Sequence, residues 1–405
     1  MKVMLNAAVR IIPPSEISGH WTAENLLERR RYRLSAEAAA VLVAASHPVD
    51  RDNLAERVST NDGRRRTPGF WASMADTLYR TGLIVDPAIN ESDPRVSWLV
   101  RLRQDWSRHG WHEAAEYHAL TYDYPCMDYS EAAKAIATDQ ELMRLFQSRE
   151  PDTDRAKLTY VDQPGVDLPE PDKDMPTGPV RALWEDIADA AVLDFDRLAA
   201  ILSLTFGSTG ARQPRTDAAP LLRRSSPSGG GRHPSEGYVA VRDVPGIEPG
   251  WYHVTMRPFS LRRLDDPTTD DAALAATFRE SVPRFPFPIR ALVVLTSVFE
   301  RNMYRYREPR TFRTVHMDAG HLAGTLRLAA RSLGVTARVF YCDEAEQVER
   351  TLGLDGMREG YMLTLALADG VPGGDASADQ DDVRRAGDRG DASAVPEEVR
   401  RADEH

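Results

Sequence analysis

A run of twelve residues between Arg223 and Pro234 has the composition of a ligand-binding loop. It reads RRSSPSGGGRHP and contains three consecutive glycines. Small residues let the backbone approach a flat or anionic ligand, and seryl hydroxyls and backbone amides donate hydrogen bonds to it. The flanking arginines can bind phosphate through paired hydrogen bonds. We call residues 223–234 the glycine loop and predict that it binds a cofactor, although mobile linkers have a similar composition.

A second chemically rich stretch extends from Arg301 to His321. Its first thirteen residues, RNMYRYREPRTFR, contain five arginines and two tyrosines; we call residues 301–313 the arginine segment. The sequence predicts a helix from Asp318 to Leu333 directly after it, and helix amino termini attract anions because their amides are unpaired. The pattern indicates an anion site or, alternatively, an arginine-rich surface that faces acidic partners.

Other catalytic arrangements are missing from the sequence. It has no Gly-Lys-Ser/Thr phosphate loop, no G-x-G-x-x-G turn and no G-x-S-x-G nucleophile motif. Its two cysteines, Cys126 and Cys342, lack the spacing of a zinc site or a disulfide framework. We therefore expect no metal site, and the two stretches above remain the candidates for chemistry.

Together the two stretches resemble the SagB-type peptide-azoline dehydrogenases, a branch of the FMN-dependent nitroreductase family. The resemblance lies in the order PSGGGRHP, a tyrosine-containing strand, a PGWYH turn, R-Y-x-x-x-R-x-F-R and D-A-G-H. It implies an FMN-dependent oxidoreductase that removes two hydrogens from a thiazoline or oxazoline ring in a ribosomally made peptide. It also implies a homodimer, a precursor peptide as partner, and ring-forming or other maturation enzymes as further partners.

The resemblance assigns roles to individual residues. The residues implied in FMN binding are Arg224, Ser226, Pro227, Ser228, Gly229, Gly230, Arg310 and Arg313. Tyr306 aligns with the tyrosine of a Lys-Tyr pair that handles the proton in this branch, whereas the lysine position holds Arg305. Because arginine stays protonated, Arg305 can orient or stabilise an anion, and Tyr306 becomes the candidate acid or base.

The chain departs from the family pattern at three further points. No Arg-x-Ser-x-Arg motif is visible between Thr177 and Asp196, Phe312 replaces a tyrosine, and Gly324-Thr325 replaces a Gln-Asn pair. Two other functions therefore remain open. One is a flavin-free peptide-binding scaffold with the same fold, and the other is a flavin-dependent reductase of a dehydroamino acid.

The remaining sequence predicts how these segments are positioned. Residues 1–148 are predicted to form a mostly helical, winged-helix-like module, with helices over residues 35–58 and 69–80 and a strand at 83–85. Its aromatic segment, residues 98–129, either packs on the second domain or lines the substrate entrance. The module would bind a leader peptide or, in the alternative of a ligand-sensing regulator, DNA.

The second half of the chain predicts an α+β domain with a mixed or antiparallel sheet flanked by helices. We place a linker at residues 149–178, the flavin domain at 179–370 and a disordered acidic tail at 371–405. Predicted helices cover residues 180–189 and 194–206. Predicted strands include residues 238–241, 251–254, 290–296, 337–341 and 360–368.

Composition limits the classes of function. With 405 residues, the chain exceeds the usual size of a single core, which favours two domains. Its formal charge of -11 disfavours nucleic-acid binding. The longest apolar run, residues 38–45, is too short to span a membrane, and no signal peptide is recognisable. We therefore expect a cytoplasmic protein.

Overall fold

The computed structural model describes residues 1–16, 18–59, 66–124, 130–153, 156–171, 189–212, 221–264, 271–278, 285, 287–342 and 345–371. The chain divides into two compact units, Met1–Asp128 and Tyr129–His405. Of the predicted helix at 180–189 and the predicted tail at 371–405, only residues 189 and 371 belong to the described part, so both predictions fall outside it.

The first unit opens with strands that the sequence reasoning missed. They are β1 (Lys2–Leu5), β2 (Val9–Ile12), β3 (Trp21–Asn25) and β4 (Arg30–Leu34). The last three form an antiparallel sheet in the order β2-β3-β4. Ala23 and Leu34 lie in the core, whereas Thr22 and Arg33 pair on the opposite face. The three arginines of RRYRL obscured this alternation in the sequence.

Three helices follow, and their positions agree closely with the sequence prediction. They are α1 (Ala36–Ala44), α2 (Arg51–Ser59) and α3 (Pro68–Arg80). Ser35 and Thr67 cap the first and third helices by accepting hydrogen bonds from backbone amides. Two short strands, β5 (Val49–Asp50) and β6 (Ile84–Val85), pair with the two sides of β1. The winged-helix interpretation of this arrangement remains a prediction.

The aromatic segment of the first unit forms helices whose rings contact one another. The helices are α4 (Pro87–Ser92), α5 (Pro94–Ser107) and α6 (His112–Thr121). Trp106 and His118 stack with 5.2 Å between ring centroids and 7° between planes. Trp98 lies 4.5 Å from Tyr122 by the same measure. These contacts join α5 to α6 and lie entirely within the first unit.

The second unit is built around a seven-stranded antiparallel sheet with strand order β14-β15-β13-β10-β11-β12-β7. Its elements are α7 (Ala132–Arg149), β7 (Gly165–Asp167), α8 (Phe195–Phe206), β8 (Ser208–Arg212), β9 (Leu221–Arg224), β10 (Ser235–Val241), β11 (Gly250–Met256), β12 (Phe259–Arg263), α9 (Asp271–Phe278), β13 (Ala291–Val298), α10 (Phe299–Tyr306), α11 (Thr311–Ser332), β14 (Thr336–Phe340), α12 (Ala345–Thr351) and β15 (Glu359–Ala368). The predicted α+β class with a sheet flanked by helices is confirmed.

The central strands are buried on both faces, and the period of two decides which residues face which layer. On β10, Val239 and Val241 enter the core shared with α8 and α11, whereas Tyr238 and Ala240 enter the core shared with α9 and α12. Gly237 permits the close approach of α8, because a Cβ there would lie 2.4 Å from the Phe206 ring. The sheet therefore has two separate cores, one on each face.

Part of the predicted linker is built into the second unit. Strand β7 extends the sheet by pairing with β12, and Leu168 is buried in the core beside α8. Lys157 reaches the central sheet, as described below. The compact unit begins at Tyr129, because α7 and the described parts of residues 149–171 contact it through side chains that the polar composition of this stretch concealed.

Candidate functional site

The glycine loop lies on α11 and is held there by side-chain hydrogen bonds. Ser226 donates to Thr325 Oγ1 at 2.7 Å, and Ser228 donates to Asp318 Oδ2 at 2.8 Å. The backbone amide of Gly229 donates to the same Asp318 carboxylate at 3.1 and 3.2 Å. Both predicted seryl ligands therefore use their hydroxyls to fix the loop on the helix.

Beyond these anchors, the loop turns sharply and contacts α10. Residues Gly229–Gly231 form a single 3-10 turn, in which Gly230 has a left-handed φ of 60°. A Cβ on Gly230 would lie 2.5 Å from Tyr306 Oη. Glycine is thus required here by both backbone conformation and space. The structure brings the predicted catalytic tyrosine directly against the predicted cofactor loop, and the neighbouring Pro227 and Gly230 are exposed.

Tyr306 is the last residue of α10, and the arginines around it bind acidic residues. Arg305 forms an ion pair with Asp139 of α7 at 2.5 Å, and its guanidinium lies 5.2 Å from the Tyr306 ring centroid. Arg307, which ends the helix in a left-handed conformation, forms an ion pair with Glu150. Part of the arginine segment therefore pairs with acidic residues. This agrees with the alternative interpretation of its sequence, an arginine-rich surface that faces acidic partners.

The three predicted phosphate-binding arginines lie in different environments. Burial lowers the pKa of Arg224 to about 10, and the negative charge of Glu236 offsets this only in part. Arg310 lies 3.4 Å from Glu308, and Arg313 is exposed in the first turn of α11. No contact among the described residues joins these three side chains. That they bind FMN together remains a prediction.

One feature of the predicted anion site is wrong. Helix α11 begins at Thr311, two turns earlier than the predicted start at Asp318. Asp318 is therefore a buried residue inside the helix, 2% exposed, and does not stand at its amino terminus. The reason is that the arginine and the histidine in the first turns of the helix masked their apolar positions in the sequence.

A buried ionic cluster behind the glycine loop was not found by sequence reasoning. Glu236 of β10 lies 2.5 Å from Arg301 and 2.9 Å from His253 Nε2. Burial by itself would raise the pKa of Glu236, but the charge of Arg301 and the contact with His253 lower it to about 2. The alternation of side chains in β10 and β11 could have predicted that Glu236 and His253 share one face of the sheet. Only the tertiary fold brings Arg301 of α10 to them.

A second buried arginine connects the glycine loop to the stretch after α7. Arg232 is 1% exposed and donates to the backbone carbonyl of Arg301 at 2.7 Å and to Asp152 at 2.6 Å. Its guanidinium also lies 5.4 Å from the Tyr304 ring centroid. The carboxyl end of the loop is therefore fixed in the interior, while its glycines remain at the surface.

A further hydrogen-bond network joins Lys157, in the predicted linker, to the central sheet. Lys157 donates to Tyr238 Oη at 2.6 Å and pairs with Glu359 at 2.7 Å. The Tyr238 hydroxyl donates to Glu359 at 2.9 Å, and Thr296 donates to the same carboxylate at 2.7 Å. Burial, then the charge of Glu359, raises the pKa of Tyr238 well above its ordinary value. Tyr238 is fully buried, and we interpret this network as one that holds residue 157 on the sheet.

Several buried polar atoms next to the glycine loop have no hydrogen-bond partner among the described residues. They are Arg224 Nε, Ser235 Oγ, Ser297 Oγ, Asn302 Oδ1 and Thr311 Oγ1. Native proteins rarely leave such groups unpaired without a ligand or water. Beside Gly231 the loop leaves open space, because an ideal Cβ there would meet nothing within 4 Å. Unpaired donors and an unpaired amide oxygen beside a small-residue loop suit a flat, polar cofactor, so these residues fit a flavin.

The described residues contain no group of three histidine, cysteine, aspartate or glutamate side chains arranged to hold a metal ion. Within the same residues, no helix is both long enough and apolar enough to cross a membrane.

Comparison with known proteins identifies the family of the second unit. The Nitroreductase family model matches residues 185–370. The chain is 33% identical over 160 residues to a protein named as a nitroreductase, MJ1384 of Methanocaldococcus jannaschii, covering 38% of this chain and 74% of that protein. It is 37% identical over 147 residues to the trifolitoxin-processing protein TfxB of Rhizobium leguminosarum bv. trifolii, covering 36% of this chain and 39% of that protein.

Two solved structures match the chain at low similarity. A nitroreductase from Anabaena variabilis has 25% identity and a TM-score of 0.39, covering 56% of this chain and 46% of that chain. The E. coli microcin synthetase McbBCD complex with truncated pro-MccB17 gives 15% identity and a TM-score of 0.37, covering 61% and 98%.

The chain belongs to the nitroreductase family, which is a family of oxidoreductases that generally bind FMN. The resemblance to its peptide-processing branch is confirmed by the match to TfxB. The chain spans 39% of the length of that relative.

Proposed function

We propose that the protein is an FMN-dependent oxidoreductase that acts on a modified residue of a ribosomally synthesised peptide. The observation that supports this most strongly is the contact between Gly230 and Tyr306. It joins the predicted cofactor loop to the predicted acid or base. The 37% identity to a trifolitoxin-processing protein supports a peptide substrate.

Within this proposal, the glycine loop and the unpaired polar atoms beside it hold the flavin. When bound, FMN supplies a two-electron acceptor for the ring that loses two hydrogens. In its phenolate form, Tyr306 Oη takes the proton, because Arg305 cannot give up its own proton and is engaged by Asp139. Arg305 holds α10 against α7 and so fixes the end of the helix that carries Tyr306. Oxygen is the final electron acceptor in this proposal.

Flavin titration tests the proposal and separates it from the two alternatives. The purified protein should be yellow and should release FMN on denaturation. A colourless protein that binds no added FMN would favour the flavin-free scaffold. If FMN binds, loss of the absorbance of oxidised flavin on adding NADH, followed by reduction of a dehydroamino-acid peptide, would favour the reductase.

Tyr306→Phe separates proton transfer from cofactor binding. It should lower turnover about 100-fold, the usual scale for a general acid or base, without releasing FMN. Arg305→Lys is the companion variant, because it restores the residue type of the family's Lys-Tyr pair. Turnover in Tyr306→Phe equal to that of the unmodified protein would move the proton-transfer role to another group.

We further propose that the second unit forms a homodimer and that each flavin site uses residues of both copies. Exposed apolar side chains support this: Met303, Phe312 and Met317 on α10 and α11, and Ile136, Leu142 and Leu145 on α7. Exposed apolar groups concentrated on neighbouring helices are typical of oligomer interfaces. Light scattering should give twice the chain mass, and Phe312→Glu with Met317→Glu should give single chains.

The first unit is proposed to bind the peptide outside its reacting residue. The sheet β2-β3-β4 carries a surface depression of about 520 Å³, lined by His20, Arg31 and Arg33 beside apolar Ile12 and Tyr32. In a chain of net charge -11, this basic lining favours an acidic peptide segment. A glutamate-rich peptide should bind more tightly than a lysine-rich peptide of equal length, and Arg31→Glu with Arg33→Glu should abolish the difference.

A further inference from the structure

The carboxylate of Asp318 binds the glycine loop through hydrogen bonds from two consecutive residues. Asp318 is buried, and it accepts hydrogen bonds from the Ser228 hydroxyl and from the Gly229 amide. The Ser228 oxygen in turn accepts from the amide of His233 at 2.9 Å. One carboxylate thus controls the loop on both sides of its glycine turn.

The same contacts determine what the loop presents outward. The Gly229 amide is bound to Asp318 of α11, and the turn that follows places Gly230 beside α10. There Gly230 lies against Tyr306. The position of Asp318 inside α11, between well-packed apolar residues, makes this a rigid attachment.

The carboxylate of Asp318 has only neutral hydrogen-bond donors around it among the described residues. No arginine, lysine or histidine of the described residues forms an ion pair with it, and its partners are a hydroxyl and a backbone amide. A buried carboxylate with neutral donors keeps most of its negative potential, since the medium around it screens poorly. That potential acts on whatever the loop binds.

We propose that Asp318 is the positioning residue of the flavin site. It holds the glycine loop so that Gly230 and Tyr306 face the cofactor, and its negative charge lowers the reduction potential of the bound flavin. A lower potential makes the reduced cofactor a better electron donor and eases its reoxidation. This inference rests on the proposed flavin site and adds the residue that sets the geometry and potential of that site.

Three variants of the full chain test the proposal. Asp318→Asn removes the charge and keeps the size, and Asp318→Ala removes the hydrogen bonds as well. Asp196→Asn on α8 is the control, because it makes the same chemical change at an exposed position of another helix. FMN affinity is measured by quenching of flavin fluorescence, and the midpoint potential by dye-coupled reduction.

We expect Asp318→Asn to weaken FMN binding about tenfold and Asp318→Ala about a hundredfold, on the scale of one and two hydrogen bonds to a charged group. Asp318→Asn should also make the midpoint potential more positive, an effect that a loss of packing alone would not produce. Asp196→Asn should change neither quantity. Affinity within twofold of the unmodified protein together with an unchanged potential in Asp318→Asn would overturn the proposal.

Amide hydrogen exchange distinguishes this inference from the proposed function. If the unmodified protein binds no FMN, the proposed function fails, but the loop can still be examined without cofactor. Exchange in a peptide that covers residues 226–234 should then be at least tenfold faster in Asp318→Ala than in the unmodified protein. Equal exchange would show that Asp318 does not hold the loop.

Discussion

Replacing Gly230 with alanine would test the contact on which the proposed function depends. Gly230 has a φ of 60°, and an added Cβ would lie 2.5 Å from Tyr306 Oη and 3.2 Å from its Cζ. The ring cannot stay where it is, because carbon and oxygen atoms do not approach so closely without a bond. The substitution should therefore displace the tyrosine and weaken the loop at once.

The neighbouring Gly231 offers a matched control. It has a φ of 63°, and nothing lies within 4 Å of its ideal Cβ. Alanine in a left-handed conformation costs about 1–2 kcal/mol at either position. Overpacking against Tyr306 should add about 1–3 kcal/mol at position 230 alone. Gly230→Ala should thus be less stable than Gly231→Ala by that second amount.

Three measurements on the full chain decide the matter. Urea unfolding gives the free energy of unfolding, fluorescence quenching gives the FMN affinity, and turnover gives the effect on the tyrosine. Adding Tyr306→Phe to Gly230→Ala removes the oxygen at 2.5 Å and should recover part of the lost stability. Equal stability and equal FMN affinity in Gly230→Ala and Gly231→Ala would refute the proposed contact.

Three further predictions concern charged residues. The pKa of Glu236 is lowered to about 2, so its ionised form adds about 3 kcal/mol to the free energy of unfolding above about pH 4.5, and this is lost as the pH falls towards 2. In Glu236→Gln, the free energy of unfolding should therefore depend less steeply on pH between these values. Lys157→Met should cost about 3–5 kcal/mol because it leaves the buried charge of Glu359 unpaired, and adding Glu359→Gln should restore part of this in thermal unfolding. If Arg313 holds the FMN phosphate, Arg313→Ala should weaken FMN binding about tenfold or more, whereas Arg327→Ala on the same helix should not, and equal titration curves would remove Arg313 from the site.

The motifs could be recognised in the sequence because each depends on residues that are neighbours in the chain. Three glycines in a row predict a turn with left-handed φ, and the structure has Gly230 and Gly231 in that conformation. The pairing of the glycine loop with Tyr306 was predicted only through family resemblance. Gly230 and Tyr306 are 76 positions apart, and no local sequence pattern can predict that they lie side by side.

Roles of single side chains were harder to predict than the site as a whole. The hydroxyls of Ser226 and Ser228 were expected to face the cofactor, but they bind α11 because Asp318 and Thr325 lie two helical turns apart beneath the loop. Arg305 was expected beside the reacting atoms and is held by Asp139. In each case the deciding partner is distant in sequence.

The sequence by itself determined the class of fold, the two candidate stretches for chemistry and the membership of a family that generally binds FMN, because periodicity, glycine content and motif order are local properties of the chain. Only the tertiary structure decided that Glu236, His253 and Arg301 form one buried cluster, that residues 156–171 belong to the second unit, and that Asp318 holds the glycine loop. These arrangements depend on which strands and helices become neighbours. That choice is made by packing of the whole chain, since a buried charge is stable only where the fold supplies its partners.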